Sequence, residues 1–338
     1  MADDGLRRLE REAAQGDPQA AARLARERAR VGAARAWMLV DTWPLDAKER
    51  AHDALFTPDG DLLVVGARRV RLMAPTPLAP VRGLRRPVAR EVACAALWEG
   101  ARPSGAPAGG IRVRPRARLV LGERRTSCGG ACSLVVVGLP GLDRPRALHE
   151  TDEVGFDAVA AGGDVVVAAT SDVVRAWREG GGVTTWRHPE RVRALAMDAL
   201  GRRVLVVGER TAIVRDPAQV DDVAALALDA PPLPTCAVTA DGALAVTASR
   251  DAVHVWETAA GQRVRRVPCD GALRVTLARS GLLLTVHGAR VGLWDVGSGQ
   301  QLGVTPRVEE RVRAATLDPT ERLLVAVGQT RVWTFRQA

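Results

Sequence analysis

Histidine, cysteine and carboxylate side chains carry most nucleophilic and metal chemistry, and in this chain of 338 residues their spacing supports none of it. The histidines, His52, His149, His188, His254 and His287, lie far apart, without an H-E-x-x-H pair or a local carboxylate cluster. His254 alternates with Val253 and Val255, the pattern of a packed or surface strand residue rather than a ligand. Cys128 and Cys132 form the tightest cysteine pair, but three residues separate them where a zinc knuckle has two, and no second pair follows. Asp59, Asp241 and Asp251 stand in turns, where aspartate bonds nearby backbone groups. Neither a GxxxxGK[ST] phosphate loop nor a GxSxG nucleophile elbow occurs. No catalytic residue, metal ligand or cofactor is therefore assigned, and arginine is left as the abundant chemical group.

The elements that would position arginine are strands in a repeat. Four segments end in tryptophan: SDVVRAW at Trp177, SRDAVHVW at Trp256, GARVGLW at Trp294 and GQTRVW at Trp333, at intervals of 79, 38 and 39 residues. The doubled interval hides one more repeat, GERTAIVRD, with Arg215 at the tryptophan position. Upstream in each unit, Gly201, Gly242 and Gly281 precede apolar runs, and Thr320 takes the equivalent place before ERLLVAVG. Val- and Leu-rich runs bounded by Gly or Asp turns read as buried strands, four to a unit of about 40 residues, which is the blade of a propeller.

DAVHVWETAAGQRV and RVGLWDVGSGQQL resemble the end of a WD repeat, with Trp294-Asp295 matching the signature dipeptide and Trp256-Glu257 close to it. FTPDGDLLVVG, from Phe56 to Gly66, resembles the opening of a WD blade. The resemblance covers residues 36 to 338, lacks the family's Gly-His dipeptide, and implies a propeller in which the Asp-His-Ser/Thr-Trp network is mostly missing. The expected fold class is all-β, a seven-bladed β-propeller of WD-type repeats with a short N-terminal α-helical hairpin. The domains are a helical leader at 1–32 and a propeller at 33–338, with blades at 52–86, 87–150, 154–190, 191–231, 232–271, 272–311 and 312–338. The second blade carries a Pro/Gly-rich insertion. The last repeat is one strand short, so the orphan strand 36–46 is expected to complete it and close the ring without an open edge. In the leader, Gly16-Asp17-Pro18 breaks two helical stretches. The register tryptophans read as packing between blades. Trp98, beside the insertion, reads as buried in its blade, with an exposed interface anchor as the alternative.

In a propeller the turns joining second to third strands share one face with the blade-to-blade connections. That places Arg68, Arg69, Arg210, Arg250, Arg290 and Arg331 from the turns, and Arg191, Arg193, Arg311 and Arg313 from the connections, around one mouth of the channel. Guanidinium pairs bidentately with carboxylate and phosphate, so this face is the candidate binding surface. The net charge of +9 adds little by itself. Lys48 is the only lysine and tyrosine is absent, a codon bias that points to a GC-rich bacterial genome and accounts for most of the arginine. Nucleic acid is a poor fit without interleaved aromatics. No apolar run approaches the roughly 20 residues of a membrane span, the N-terminus is charged, and five cysteines are an odd number. A cytoplasmic protein without membrane association is expected. The leading functional expectation is a non-enzymatic scaffold that binds a protein partner on the arginine face, whose charge suits an acidic one. An enzyme with its site in the channel mouth and a salt-sensitive nucleic-acid binder are the alternatives.

Overall fold

The computed structural model describes residues 37–46, 50–85, 91–98, 117–124, 132–139, 143–151, 155–219, 222–269, 271–278 and 280–337. The expected leader helices, the insertion after Trp98 and Cys128 lie outside the described residues.

β1 (Trp37–Pro44) precedes the first complete sheet. The first blade is β2 (Ala51–Phe56), β3 (Leu62–Gly66), β4 (Arg69–Pro75) and β5 (Leu78–Arg85). The second is β6 (Glu91–Trp98), β7 (Arg118–Arg124), β8 (Cys132–Gly138) and β9 (Asp143–Thr151). The third is β10 (Ala158–Gly162), β11 (Val165–Thr170), β12 (Val173–Arg178) and β13 (Val183–Arg187). The fourth is β14 (Ala194–Met197), β15 (Val204–Val207), β16 (Ala212–Arg215) and β17 (Asp222–Ala225). The fifth is β18 (Cys236–Val238), β19 (Leu244–Ala248), β20 (Ala252–Glu257) and β21 (Arg263–Pro268). The sixth is β22 (Arg274–Leu277), β23 (Leu282–His287), β24 (Arg290–Asp295) and β25 (Gln301–Val304). The seventh combines β26 (Ala314–Leu317), β27 (Leu323–Val327) and β28 (Arg331–Gln337) with β1, in the order β1-β28-β27-β26.

Seven antiparallel four-stranded sheets thus form a β-propeller. Each second strand is sandwiched between neighbouring blades, so it has no solvent face and cannot alternate. β3, β11 and β15 are buried at every position, which is why their sequences are continuous apolar runs. The core follows the same logic. Seven apolar clusters fill the seven blade-to-blade interfaces, from Leu63, Val70 and Leu119 between the first two blades to Phe56, Leu62 and Val325 between the first and the last. β1 pairs with β28 from Trp37 opposite Gln337 to Pro44 opposite Arg331, and Trp37 is buried in the cluster between the sixth and seventh blades. Trp177, Trp256 and Trp333 are buried at interfaces and Trp294 is half-buried. Trp98 is also buried, and its indole N–H donates to the carbonyl of Gly163 in the third blade at 2.9 Å. It is an inter-blade packing residue, which removes the exposed-anchor alternative.

The turns between first and second strands need one left-handed residue. Glycine supplies it at Gly60 (φ 92), Gly201 (φ 70), Gly242 (φ 74) and Gly281 (φ 89). In each, the amide of that residue donates to the carbonyl three residues back, as Gly201 does to Asp198. In the seventh blade the same bond runs from Glu321 to Asp318, and Glu321 has φ 58. The residue equivalent to glycine is therefore Glu321 rather than Thr320, a one-residue correction to the sequence alignment.

Candidate anion-binding face

The antiparallel order puts the turns between second and third strands, and the connections from fourth strand to next blade, on one side of the ring. Arg68 lies in the turn after β3 and Arg69 opens β4; Arg210 and Arg250 lie in the turns before β16 and β20; Arg290 opens β24 and Arg331 opens β28. Arg191 and Arg193 lie between β13 and β14, and Arg311 and Arg313 between β25 and β26. All ten therefore sit on this face, but their surroundings differ.

Five have carboxylate partners. Arg191 grips Asp157 with Nη2 to Oδ1 at 2.7 Å and Nε to Oδ2 at 3.4 Å, and this hydrogen bonding and charge hold its guanidinium more firmly protonated than usual. Arg331 meets Glu309 at 2.5 Å. Arg68 faces Glu91 at 3.8 Å, Arg69 faces Asp46 at 3.9 Å, and Arg193 faces Glu209 at 3.8 Å. The other five, Arg210, Arg250, Arg290, Arg311 and Arg313, are exposed, and none makes an ion pair among the described residues. Nearby acids are already engaged: Asp251, next to Arg250, bonds Arg266 at 2.6 Å and the Ser249 hydroxyl at 2.8 Å. These bonds to Ser249 and Arg266 hold the Asp251 carboxyl below its ordinary pKa. These five, unpaired among the described residues, come from the fourth, fifth and sixth blades and the connection into the seventh, so they form one arc rather than a full rim.

Two glutamates that sequence reasoning did not single out fix the turns of this face. Glu190, in the connection before β14, accepts the N–H of Arg210 at 2.6 Å and of Thr211 at 3.2 Å through Oε2. Glu310, in the connection before β26, accepts the N–H of Thr330 and Arg331, each at 3.0 Å, and the Thr330 hydroxyl at 3.0 Å. Each reaches from a connection into the turn of the following blade. The space exists because glycine precedes that turn. A Cβ on Gly328 would stand 2.2 Å from Glu310 Oε1, and one on Gly208 2.8 Å from Glu190 Oε2. Burial pushes the Glu190 carboxyl up, but its bonds from Arg210, Thr211 and Glu209 outweigh this and hold its pKa below the usual value. His188 joins the network, its Nε2 2.8 Å from the Thr211 hydroxyl, and burial followed by the Arg215 charge lowers its pKa. The sequence signal was the repeated Glu-Arg-Val-Arg-Ala at 190–194 and 310–314.

At the channel end of the same face, Arg274 of β22 donates to the Asp53 carboxylate of β2 at 2.7 Å and to the His52 carbonyl at 3.0 Å, spanning from the sixth blade to the first. Asp53 is buried, so this pair is a clasp between blades rather than an open anion site. Burial lowers the His52 pKa, against Asp53 and with Arg274. Among the described residues no three His, Cys, Asp or Glu side chains converge as metal ligands would. Cys132 is buried on β8, while Cys269 lies 3.2 Å from His287 Nε2, which also meets the Thr285 hydroxyl at 2.7 Å. No family model and no curated protein matches the chain.

Proposed function

We propose that this protein is a degenerate WD-repeat propeller acting as a non-enzymatic interaction scaffold, and that the arc of Arg210, Arg250, Arg290, Arg311 and Arg313 binds an acidic segment of a protein partner. The observation that carries this reading is the arc itself. Five exposed guanidinium groups lack a carboxylate among the described residues, while five others on the same face are paired. Free guanidinium is suited to bidentate carboxylate recognition and steers acidic partners at a distance. Leu273, in the connection between β21 and β22, is exposed on this face and offers an apolar contact beside the charge. The WD assignment is supported by two indole-hydroxyl bonds from third to second strand: Trp256 to Thr247 at 2.9 Å and Trp294 to Thr285 at 2.8 Å. A cytoplasmic setting fits the odd number of cysteines, five, scattered along the chain.

The test is affinity capture from the native host with wild type and with the Arg210→Glu, Arg250→Glu, Arg290→Glu triple variant. A protein held by wild type and released by the variant supports the scaffold. Recovery of nucleic acid alone, with binding that collapses steeply with salt, would replace it with the nucleic-acid reading.

A further inference from the structure

The opposite mouth of the channel presents different chemistry. A cavity of about 230 Å³ lies where the inner strands β2, β6, β22 and β26 end, walled by Leu55, Phe56, Leu97, Leu277, Leu284 and Leu317. Among the described residues its charged lining side chains are Asp318 and Glu321, and none is basic. Asp318 is consumed by its own turn: Oδ1 accepts the N–H of Arg322 at 2.8 Å and of Leu323 at 2.7 Å, and Oδ2 accepts from Thr320. Glu321 is different. One oxygen, Oε1, accepts the Ser280 N–H at 3.1 Å from the neighbouring blade. Glu321 also occupies the left-handed position that Gly60, Gly201, Gly242 and Gly281 fill in four other blades. A glutamate there carries backbone strain that glycine would relieve, and such strain concentrates where a side chain has a task.

We propose that this cavity binds a small apolar ammonium, an alkyl or arylalkyl amine, with the Glu321 carboxylate as its counter-ion. The walls cover the hydrocarbon, and the carboxylate meets the cation at the rim. Burial raises the pKa of Glu321, with Asp318 adding to the rise and the Ser280 bonds opposing it. The site therefore favours a cation that restores a charge partner, and an anionic ligand would meet two carboxylates in an apolar wall.

Isothermal titration with phenethylammonium and with neutral 2-phenylethanol tests this on the full chain. Wild type is expected to bind the ammonium saturably and at least tenfold more tightly than the alcohol. Glu321→Gln is expected to lose at least tenfold for the ammonium and to leave the alcohol unchanged. Glu321→Gly, which suits the turn, keeps the experiment interpretable if the glutamine variant unfolds, and it is expected to lose the ammonium equally. Equal binding of both probes to wild type, undiminished ammonium binding by the folded variants, or no saturable binding of the ammonium would each overturn the proposal.

Discussion

Arginines on one face of this ring have two fates. Near the first blade, in the connection from third to fourth, and at the start of β28, the fold supplies a carboxylate to each: Glu91, Asp46, Asp157, Glu209 and Glu309. Along the arc from Arg210 to Arg313 acids among the described residues are spent elsewhere, Asp251 on Arg266 and Glu310 on backbone amides. The contrast separates arginine that composition supplies from arginine that is available. Exposed ion pairs add only about 0–1 kcal/mol to stability, so pairing matters here mainly because it removes a cation from the binding surface.

The harshest way to break this contrast is to open the ring. Deleting residues 36–46 removes β1, exposes the edge of β28 and takes Trp37 from its interface. Loss of a cooperative melting transition by circular dichroism is expected, whereas deleting residues 1–32 should leave a transition in place.

Removing the turn caps is the next largest change. Glu190→Ala strips the amide partners of the turn bearing the free Arg210, and Glu310→Ala those of the turn bearing the paired Arg331. Each is expected to cost about 1–3 kcal/mol in chemical denaturation. Both should also weaken partner binding, because Glu310 tethers the connection that carries Arg311 and Arg313.

Acid should erode the scaffold in a defined window. His52, His188 and His254 all have pKa values lowered first by burial, so the unfolded chain binds protons more readily than the fold. Stability from their neutral forms is full above about pH 6.5 and declines as pH falls from there through the folded values. A thermal melt series from pH 8 to pH 5 should show that decline, and His188→Gln should make it shallower.

The smallest expected effect concerns the opposite face. Glu321→Gly should stabilise the protein by about 1 kcal/mol by relieving the left-handed conformation. Because the folded pKa of Glu321 is raised, its contribution is most favourable at low pH and is lost as pH rises through the folded value. The glycine variant's advantage should therefore grow between acidic and neutral pH.

The seven-blade count was legible because tryptophan and glycine recur at strand and turn positions that every blade must fill. The short last repeat and the apolar segment before the first made the pairing of Trp37–Pro44 with Arg331–Gln337 a matter of counting strands. Which arginines are free was not legible. Arg191 and Arg193 differ from Arg311 and Arg313 through Asp157 and Glu209, residues of neighbouring strands and turns that sequence distance hides. Glu321 escaped for a simpler reason: the alignment placed Thr320 at the glycine position, and only the backbone reveals which residue is left-handed.

The most direct test compares two charge reversals of equal size against a partner recovered by capture. One variant changes Arg250, Arg290 and Arg313 to glutamate, and the other changes Arg68, Arg69 and Arg331. Titration calorimetry at fixed salt, with melting temperatures measured in parallel, is expected to show at least a hundredfold loss of affinity for the first and less than tenfold for the second. Equal losses, or a greater loss from the paired set, would contradict the claim that the unpaired arc is the binding surface.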